Sequence, residues 1–304
     1  MKKILSIDGG GYKGVFVASF LAEIEKKLGK SICEYFDIIA GTSTGGIIAA
    51  ALSMGIPAEK ILHLYLDKGK EIFPANRRFH ILKGKYDTKP LEIALKKVFS
   101  DAKIKDCKTR LLIPAFDLQS RKVRVFKTTH SPDLYFDSDK YIVDCLLATS
   151  AAPLYFMPHK MESGVFIDGG VGANNPSLIA LVEVMTRCGW NMNEICILNM
   201  GCTKEELKIT GKEKMGLSDA LTIQKCFMSA ESQYVENICS LMLKERYIKI
   251  NQEVLNGQVS LDKVSEQTMK QLKDWGINKA QEHIQRLNEL YFQTIIDKPT
   301  FYNI

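Results

Sequence analysis

The run Phe36-Asp37-Ile38-Ile39-Ala40 ends directly on Gly41-Thr42-Ser43-Thr44-Gly45, and the apolar stretch Gly46-Ile47-Ile48-Ala49-Ala50-Ala51-Leu52 follows at once. This is a G-x-S-x-G sequence placed where a buried strand turns sharply into a helix. A turn that tight projects Ser43 out of the backbone, and Gly41 and Gly45 on either side let other chain segments approach closely. The helix behind it aims free N–H groups and its positive dipole end at the serine oxygen, which favours developing negative charge there. Ser43 is the candidate nucleophile.

The surrounding pattern extends this unit into an α/β fold. Lys3–Ile7 reads as a first strand, followed by the glycine loop Gly9-Gly10-Gly11-Tyr12-Lys13-Gly14 and a helix over Val15–Leu28, with Phe16, Phe20, Leu21, Ile24 and Leu28 on one face. Strands at Leu111–Asp117, Lys122–Thr128, Val165–Asp168 and Ile195–Gly201 alternate with helices at 58–70, 88–99 and 142–150. The alternation predicts a mostly parallel central sheet flanked by helices. Beyond about Gly216 the pattern is helical (Asp219–Leu243, Thr268–Thr294), apart from a strand-like stretch at Tyr247–Asn251. The simplest organisation is a catalytic core over 1–205 with a mainly helical part, 206–304, packed on the same domain.

Composition narrows the functional classes. With 46% hydrophobic residues the chain can build a large core, and its net charge of +6 suits an anionic partner such as a membrane surface. The lysines and arginines are scattered, so a nucleic-acid surface is not expected. The eight cysteines form no C-x-x-C pair and several sit in apolar runs, as buried thiols do in a reducing cytosol. No metal site is expected. The N-terminus runs straight into a strand without a signal-peptide pattern, and no run is long enough to span a membrane, so a cytoplasmic protein is expected.

Gly9–Gly14 fits G-x-G-x-x-G between a strand and a helix, the pattern of a dinucleotide loop. Taken alone it reads more simply as a tight turn. Asp37 lies at the start of its strand, not at the end where a ribose-binding acid belongs, and Val15-Phe16 replace the Lys-Ser/Thr of a phosphate loop. Beside Ser43 the same loop has another use, because the amides of Gly10 and Gly11 can point at an oxyanion. A nucleotide-binding sensor without hydrolysis is the alternative reading of this loop.

Asp168 stands in Ile167-Asp168-Gly169-Gly170, either as an ordinary Asp-Gly turn or as a carboxylate delivered by a strand to take the Ser43 proton. Parallel strands that end at one edge of the sheet would bring the two together. A Ser-Asp-His triad is the competing arrangement. Only His283 follows Asp168, in a polar helix-like stretch, and His159 follows Pro158. His63, His80 and His130 read as surface or packing residues, so a Ser43–Asp168 dyad is favoured.

Together, Asp8-Gly-Gly-Gly-Tyr-Lys-Gly14, Gly41-Thr-Ser-Thr-Gly-Gly46 and Asp168-Gly-Gly170 closely resemble the patatin-like phospholipase family. Ala148-Thr-Ser-Ala-Ala-Pro153 and Asn174-Asn175-Pro176 add to the likeness. The resemblance covers roughly 1–205, and Tyr247–Leu261 more loosely. It implies a three-layer fold and metal-independent, cofactor-free hydrolysis of lipid acyl esters. By the same resemblance Ser43 is the nucleophile, Asp168 the base, and Gly10 and Gly11 the oxyanion hole. Lys13 departs from the arginine of many members, keeping the charge without the bidentate geometry. The compactness of the chain is similar to that of bacterial members that act as phospholipase effectors of cyclic-oligonucleotide antiphage defence (CBASS). That likeness implies a cyclic nucleotide activator, with unknown ligand-binding residues, and a phospholipid membrane as partner. Assembly into a homo-oligomer is compatible with the helical flank. The Phe73–Tyr86 stretch, with Arg77, Arg78, Lys83 and Lys85 among Phe73, Phe79 and Tyr86, reads equally as a membrane- or ligand-facing loop and as a solvated one.

Overall fold

A computed structural model describes residues 1–75, 84–205, 220–255 and 257–302. Arg77, Arg78, Phe79 and Lys83 of the basic aromatic stretch lie outside the described residues, as does His80. One mixed sheet of eight strands organises the described part. Five strands run parallel in the order β9 (Tyr247–Ile250), β7 (Ile195–Met200), β1 (Lys2–Ile7), β2 (Ile38–Gly41) and β3 (Arg110–Asp117). These strands are almost wholly apolar because both faces are covered. Along β1, Ile4 belongs to one core, and Leu5 and Ile7 to the other.

On the first face lie α1 (Gly14–Leu28), α2 (Thr44–Ser53), α3 (Ala58–Ile72), α4 (Lys89–Phe99), α5 (Ile142–Thr149) and α9 (Glu266–Leu287). On the second lie α7 (Ser177–Arg187) and α8 (Ala220–Leu243), packed on Ile4, Ile38, Leu112 and Ile197. The result is the three-layer arrangement that the family resemblance implies, with helices on both faces of the sheet as the alternation of periods predicts. The strand-like stretch near Tyr247 turns out to be β9, an edge strand of the main sheet, so the C-terminal third contributes to the sheet itself.

The remaining strands are antiparallel. β4 (Lys122–Lys127) pairs with β3, and β6 (Gly164–Asp168) pairs with both β3 and β5 (His159–Met161). Leu112 of β3 pairs with β2 on one side and β4 on the other, whereas Phe116 pairs with β4 and β6. A strand has two edges, so β2 and β6 share the same edge of β3 and meet there end to end. After α9 a π-helical turn, Asn288–Phe292, sets Tyr291 and Phe292 against Phe36 and Tyr35, with ring centroids 5.7 and 5.3 Å apart. The Lys3 ammonium donates to the Tyr291 carbonyl at 2.9 Å, tying this turn to β1.

Candidate active site

The strand-to-helix turn places Ser43 at φ 55°, ψ −122°, a backbone conformation that costs a non-glycine residue about 1–3 kcal/mol. The neighbourhood enforces it. The Ser43 N–H donates to Thr149 Oγ1 (2.9 Å), whose own hydroxyl donates to the Pro114 carbonyl, and Thr42 Oγ1 donates to the Ala173 carbonyl (2.7 Å). Gly45 is required by packing, since a Cβ there would lie 2.3 Å from the Ile7 carbonyl oxygen. The first turn of α2 therefore sits directly on the end of β1.

Asp168 arrives by a route other than the one expected. β6 is antiparallel to β3, so a common parallel direction does not bring the two residues together. Instead β6 overlaps only Ala115–Asp117 of β3 and runs toward the end of β2 along their shared edge. Asp168 thus halts where the Ser43 turn begins. The Ser43 hydroxyl lies near enough to the Asp168 carboxylate to favour its charged form, and the Gly170 N–H donates to Asp168 Oδ1 at 2.7 Å. Burial pushes the Asp168 pKa up to about 6, against the opposing pull of the Ser43 hydroxyl and the Gly170 amide. Its backbone N–H bonds to the Ala151 carbonyl (3.0 Å) and that of Gly169 to Thr149 (3.2 Å), fixing the turn to the end of α5.

The glycine loop closes the third side. The Gly9 N–H is committed to the Asn174 carbonyl (3.1 Å), and the Tyr12 N–H to the Leu261 carbonyl (2.7 Å). Gly14 opens α1. The amides of Gly10 and Gly11 make no such bond among the described residues, and both residues line the cleft that holds Ser43 and Asp168. Gly11 adopts φ +57° and lies so close to Leu261 that a Cβ would fall 2.4 Å from its carbonyl oxygen.

The wall of the cleft is apolar, with Ile47, Ile72, Phe73, Leu91, Tyr155 and Phe156. Phe73 packs edge-on against Tyr86 (5.4 Å) and Phe156 (5.9 Å). The described ends of the basic aromatic stretch are therefore structural. Phe73 belongs to the cleft wall, Tyr86 packs behind it against Tyr155 and Phe156, and Lys85 pairs with Asp262 at 2.5 Å. Among the described residues no histidine lines this cleft. His159 meets Asp144 (3.3 Å), His130 is buried between Thr128 and Glu183, and His283 sits beside Glu282 on α9.

Sequence reasoning missed several supporting groups. Thr149 carries the Ser43 amide, and its signal was already present in Ala148-Thr-Ser-Ala-Ala. Asp8, just before the glycine loop, is buried and accepts from Asn199 Nδ2 (2.7 Å) and from the Lys249 ammonium (3.2 Å). Burial raises the Asp8 pKa, with Lys249 opposing the rise. Burial also disfavours the Lys249 charge, but Asp8, Tyr247 and Glu236 more than offset it and hold the ammonium above its ordinary range. Residues so far apart in sequence carry no local pattern that would link them.

Residues 5–181 match the family model for patatin-like phospholipases. The chain belongs to the patatin-like phospholipase family. It is 32% identical to a cGAMP-activated phospholipase of Pseudomonas aeruginosa, over 99% of this chain and 94% of that protein. A cGAMP-activated phospholipase of Vibrio cholerae is also 32% identical, over 92% and 90%. Patatin-like protein 1 of Arabidopsis thaliana is 28% identical, over 94% and 83%. The fold is similar to that of VipD from Legionella pneumophila, with a TM-score of 0.52 at 12% identity over 94% of this chain and 67% of that one. This patatin-like protein is accordingly a lipid ester hydrolase, and the sensor without hydrolysis finds no support. Among the described residues no helix is long and apolar enough to cross a membrane.

Proposed function

We propose that this patatin-like protein releases fatty acid from membrane phospholipids through a Ser43–Asp168 dyad and an acyl-enzyme. The observation that carries the reading is the Ser43 hydroxyl beside a buried carboxylate in an apolar cleft, next to the Gly10 and Gly11 amides, which make no backbone bond among the described residues. Ser43 attacks the ester carbonyl while Asp168 takes its proton. The two amides hold the oxyanion, where one donor is typically worth about 3–4 kcal/mol of barrier. Protonated Asp168 then gives its proton to the leaving alcohol, and water, deprotonated by the same carboxylate, releases the acid. On this reading residues 1–205 carry the chemistry, and 206–304 supply the outer wall of the site.

We further propose that a cyclic nucleotide switches the enzyme on in antiphage defence. The reading rests on the two cGAMP-activated relatives, whose similarity runs through nearly the whole chain. Transient docking on the bilayer is supported by α8, where Phe227, Tyr234 and Leu241 are 68%, 65% and 79% exposed. Their spacing puts them on one helix face across about 21 Å. The stripe adjoins Met228, which lines the cleft, so lipid drawn from the surface has a short path to Ser43. Fatty-acid release from phospholipid vesicles, for wild type and Ser43→Ala with and without cGAMP, tests the proposal. Release that needs both Ser43 and the nucleotide is expected. Release that persists in Ser43→Ala refutes the dyad, and equal release without nucleotide refutes the switch.

A further inference from the structure

The Gly10 and Gly11 amides lie between two tethers. On one side the Gly9 N–H is held by the carbonyl of Asn174, at the end of the short helix α6 (Gly170–Ala173). On the other side the Tyr12 N–H is held by the carbonyl of Leu261, at 2.7 Å. The same Leu261 carbonyl occupies the space where a Cβ on Gly11 would stand, so it sets the loop by contact as well as by hydrogen bonding. The first tether lies inside the segment that matches the family model, 5–181, and the second lies far outside it. The chain reaches Leu261 from the edge strand β9 through β10 (Glu253–Val254), which pairs with β8 (Lys204–Glu205). A pairing of two residues is too short to fix the loop that follows, so the position of Leu261 depends on what anchors its neighbours.

Asp262 supplies the anchor. Its Oδ2 accepts from the Lys85 ammonium (2.5 Å) and from the Tyr86 hydroxyl (2.8 Å), and its Oδ1 accepts from the Ser260 hydroxyl (3.1 Å). The residues that grip it are themselves fixed. The N–H groups of Lys85 and Tyr86 donate to the Leu154 and Tyr155 carbonyls (3.0 and 2.7 Å), and the Tyr86 ring stacks on that of Tyr155. The Asp262 side chain is only 13% exposed, which separates this contact from the loose surface pairs that contribute little. Burial opposes its charge, but Lys85 and Tyr86 more than offset that and hold the carboxyl below its ordinary range. We infer that Asp262 is a positioning residue for the oxyanion loop, acting through Leu261. By locking Ser260–Asp262 to Lys85 and Tyr86, it presents the Leu261 carbonyl to the Tyr12 N–H and keeps the Gly10 and Gly11 amides in place. That role rests on the proposed function of those two amides, and through it the C-terminal part takes a share in the chemistry.

The test is steady-state hydrolysis of p-nitrophenyl butyrate, a soluble ester that needs no bilayer, by Asp262→Ala with cGAMP present throughout. Displaced donors are expected to lower kcat by about tenfold to a hundredfold, with KM held within about twofold. Phosphonylation of Ser43 by a fluorophosphonate, whose phosphoryl oxygen occupies the same hole, should slow in proportion. The acid limb of the pH profile, set by Asp168, should stay where it is. Asp262→Glu, which keeps a charge opposite Lys85, should recover most of the loss. Lys85→Met with Tyr86→Phe removes the same bonds from the other side, and adding this pair to Asp262→Ala should cost nothing further. The pair alone carries the test if Asp262→Ala does not melt cooperatively. Normal kcat in folded Asp262→Ala or in the Lys85 and Tyr86 pair overturns the inference, as does a loss confined to KM. Ser43→Ala and Gly11→Ala are measured beside these variants. Hydrolysis that survives in Ser43→Ala, or normal kcat in Gly11→Ala, refutes the proposed function, whereas a crippled Gly11→Ala beside a normal Asp262→Ala refutes the anchor alone.

Discussion

Replacing Asp168 by Asn should make the protein more stable while removing its activity. The carboxylate is 3% exposed, and its pKa stands at about 6 against an ordinary 3.8. The folded protein therefore binds more protons than the unfolded chain between these values, so stability falls as pH rises through that window. At ~1.4 kcal/mol per pH unit the difference comes to about 3 kcal/mol, fully expressed above pH 7 and absent below the unfolded value. An asparagine keeps an Oδ1 to accept the Gly170 N–H and a polar partner for Ser43, and it carries no charge to desolvate. Asp168→Asn should thus gain up to about 3 kcal/mol at pH 8, roughly half of that at pH 5, and nothing near pH 3.5. Urea unfolding of both proteins across this range measures it. Asp8, whose pKa is raised, and Glu231, raised to about 7, also titrate, but they are common to the two proteins and cancel in the difference. A variant less stable than wild type at pH 8, or a gap that does not change with pH, would refute burial as the origin of the raised pKa.

Three shorter predictions share the same geometry. The pH profile of kcat/KM should lose activity below about pH 6 as Asp168 becomes protonated, and a limb near pH 4 would contradict an internal base of that pKa. Gly11→Ala should cost about 10²–10³ in kcat, because a left-handed backbone and a Cβ 2.4 Å from Leu261 push the loop off the oxyanion position. Normal kcat in the folded variant would remove Gly11 from the oxyanion hole. Phe227→Glu with Leu241→Glu should weaken binding to anionic vesicles while hydrolysis of a soluble ester stays unchanged, and unaltered vesicle co-sedimentation would exclude the α8 stripe.

The parts of the site that were legible share one property, which is that their physical reason is local. Gly41-Thr-Ser-Thr-Gly45 announces a sharp turn because backbone crowding there admits little besides glycine, and the apolar runs on either side state what the turn connects. Asp168-Gly-Gly announces another turn in the same way. The direction of β6 had no such signal. Val165–Asp168 is equally apolar whether it runs with β3 or against it, and only the pairing partner decides. The edge shared by β2 and β6 is a property of three strands at once. Lys249 is similarly opaque, since nothing in Tyr247-Ile-Lys-Ile250 says that a lysine in an edge strand neutralises the aspartate that follows β1.

These two kinds of information meet in the proton transfer. A carboxylate in water is a poor base for a serine hydroxyl, and among the described residues no histidine lines the cleft to do better. Burial narrows the gap by raising the proton affinity of Asp168, and the same burial destabilises the folded protein. On the other side of the glycine loop, Lys249 with Asp8 shows the contrasting solution, in which a buried carboxylate is compensated by a cation and an amide. Had Asp168 been given such a cation, the fold would gain stability and the base would be lost, because an adjacent ammonium lowers the proton affinity that the chemistry needs. Among the described residues no lysine or arginine lines the cleft, and placing one within reach of Asp168 should inactivate the enzyme more surely than it unfolds it.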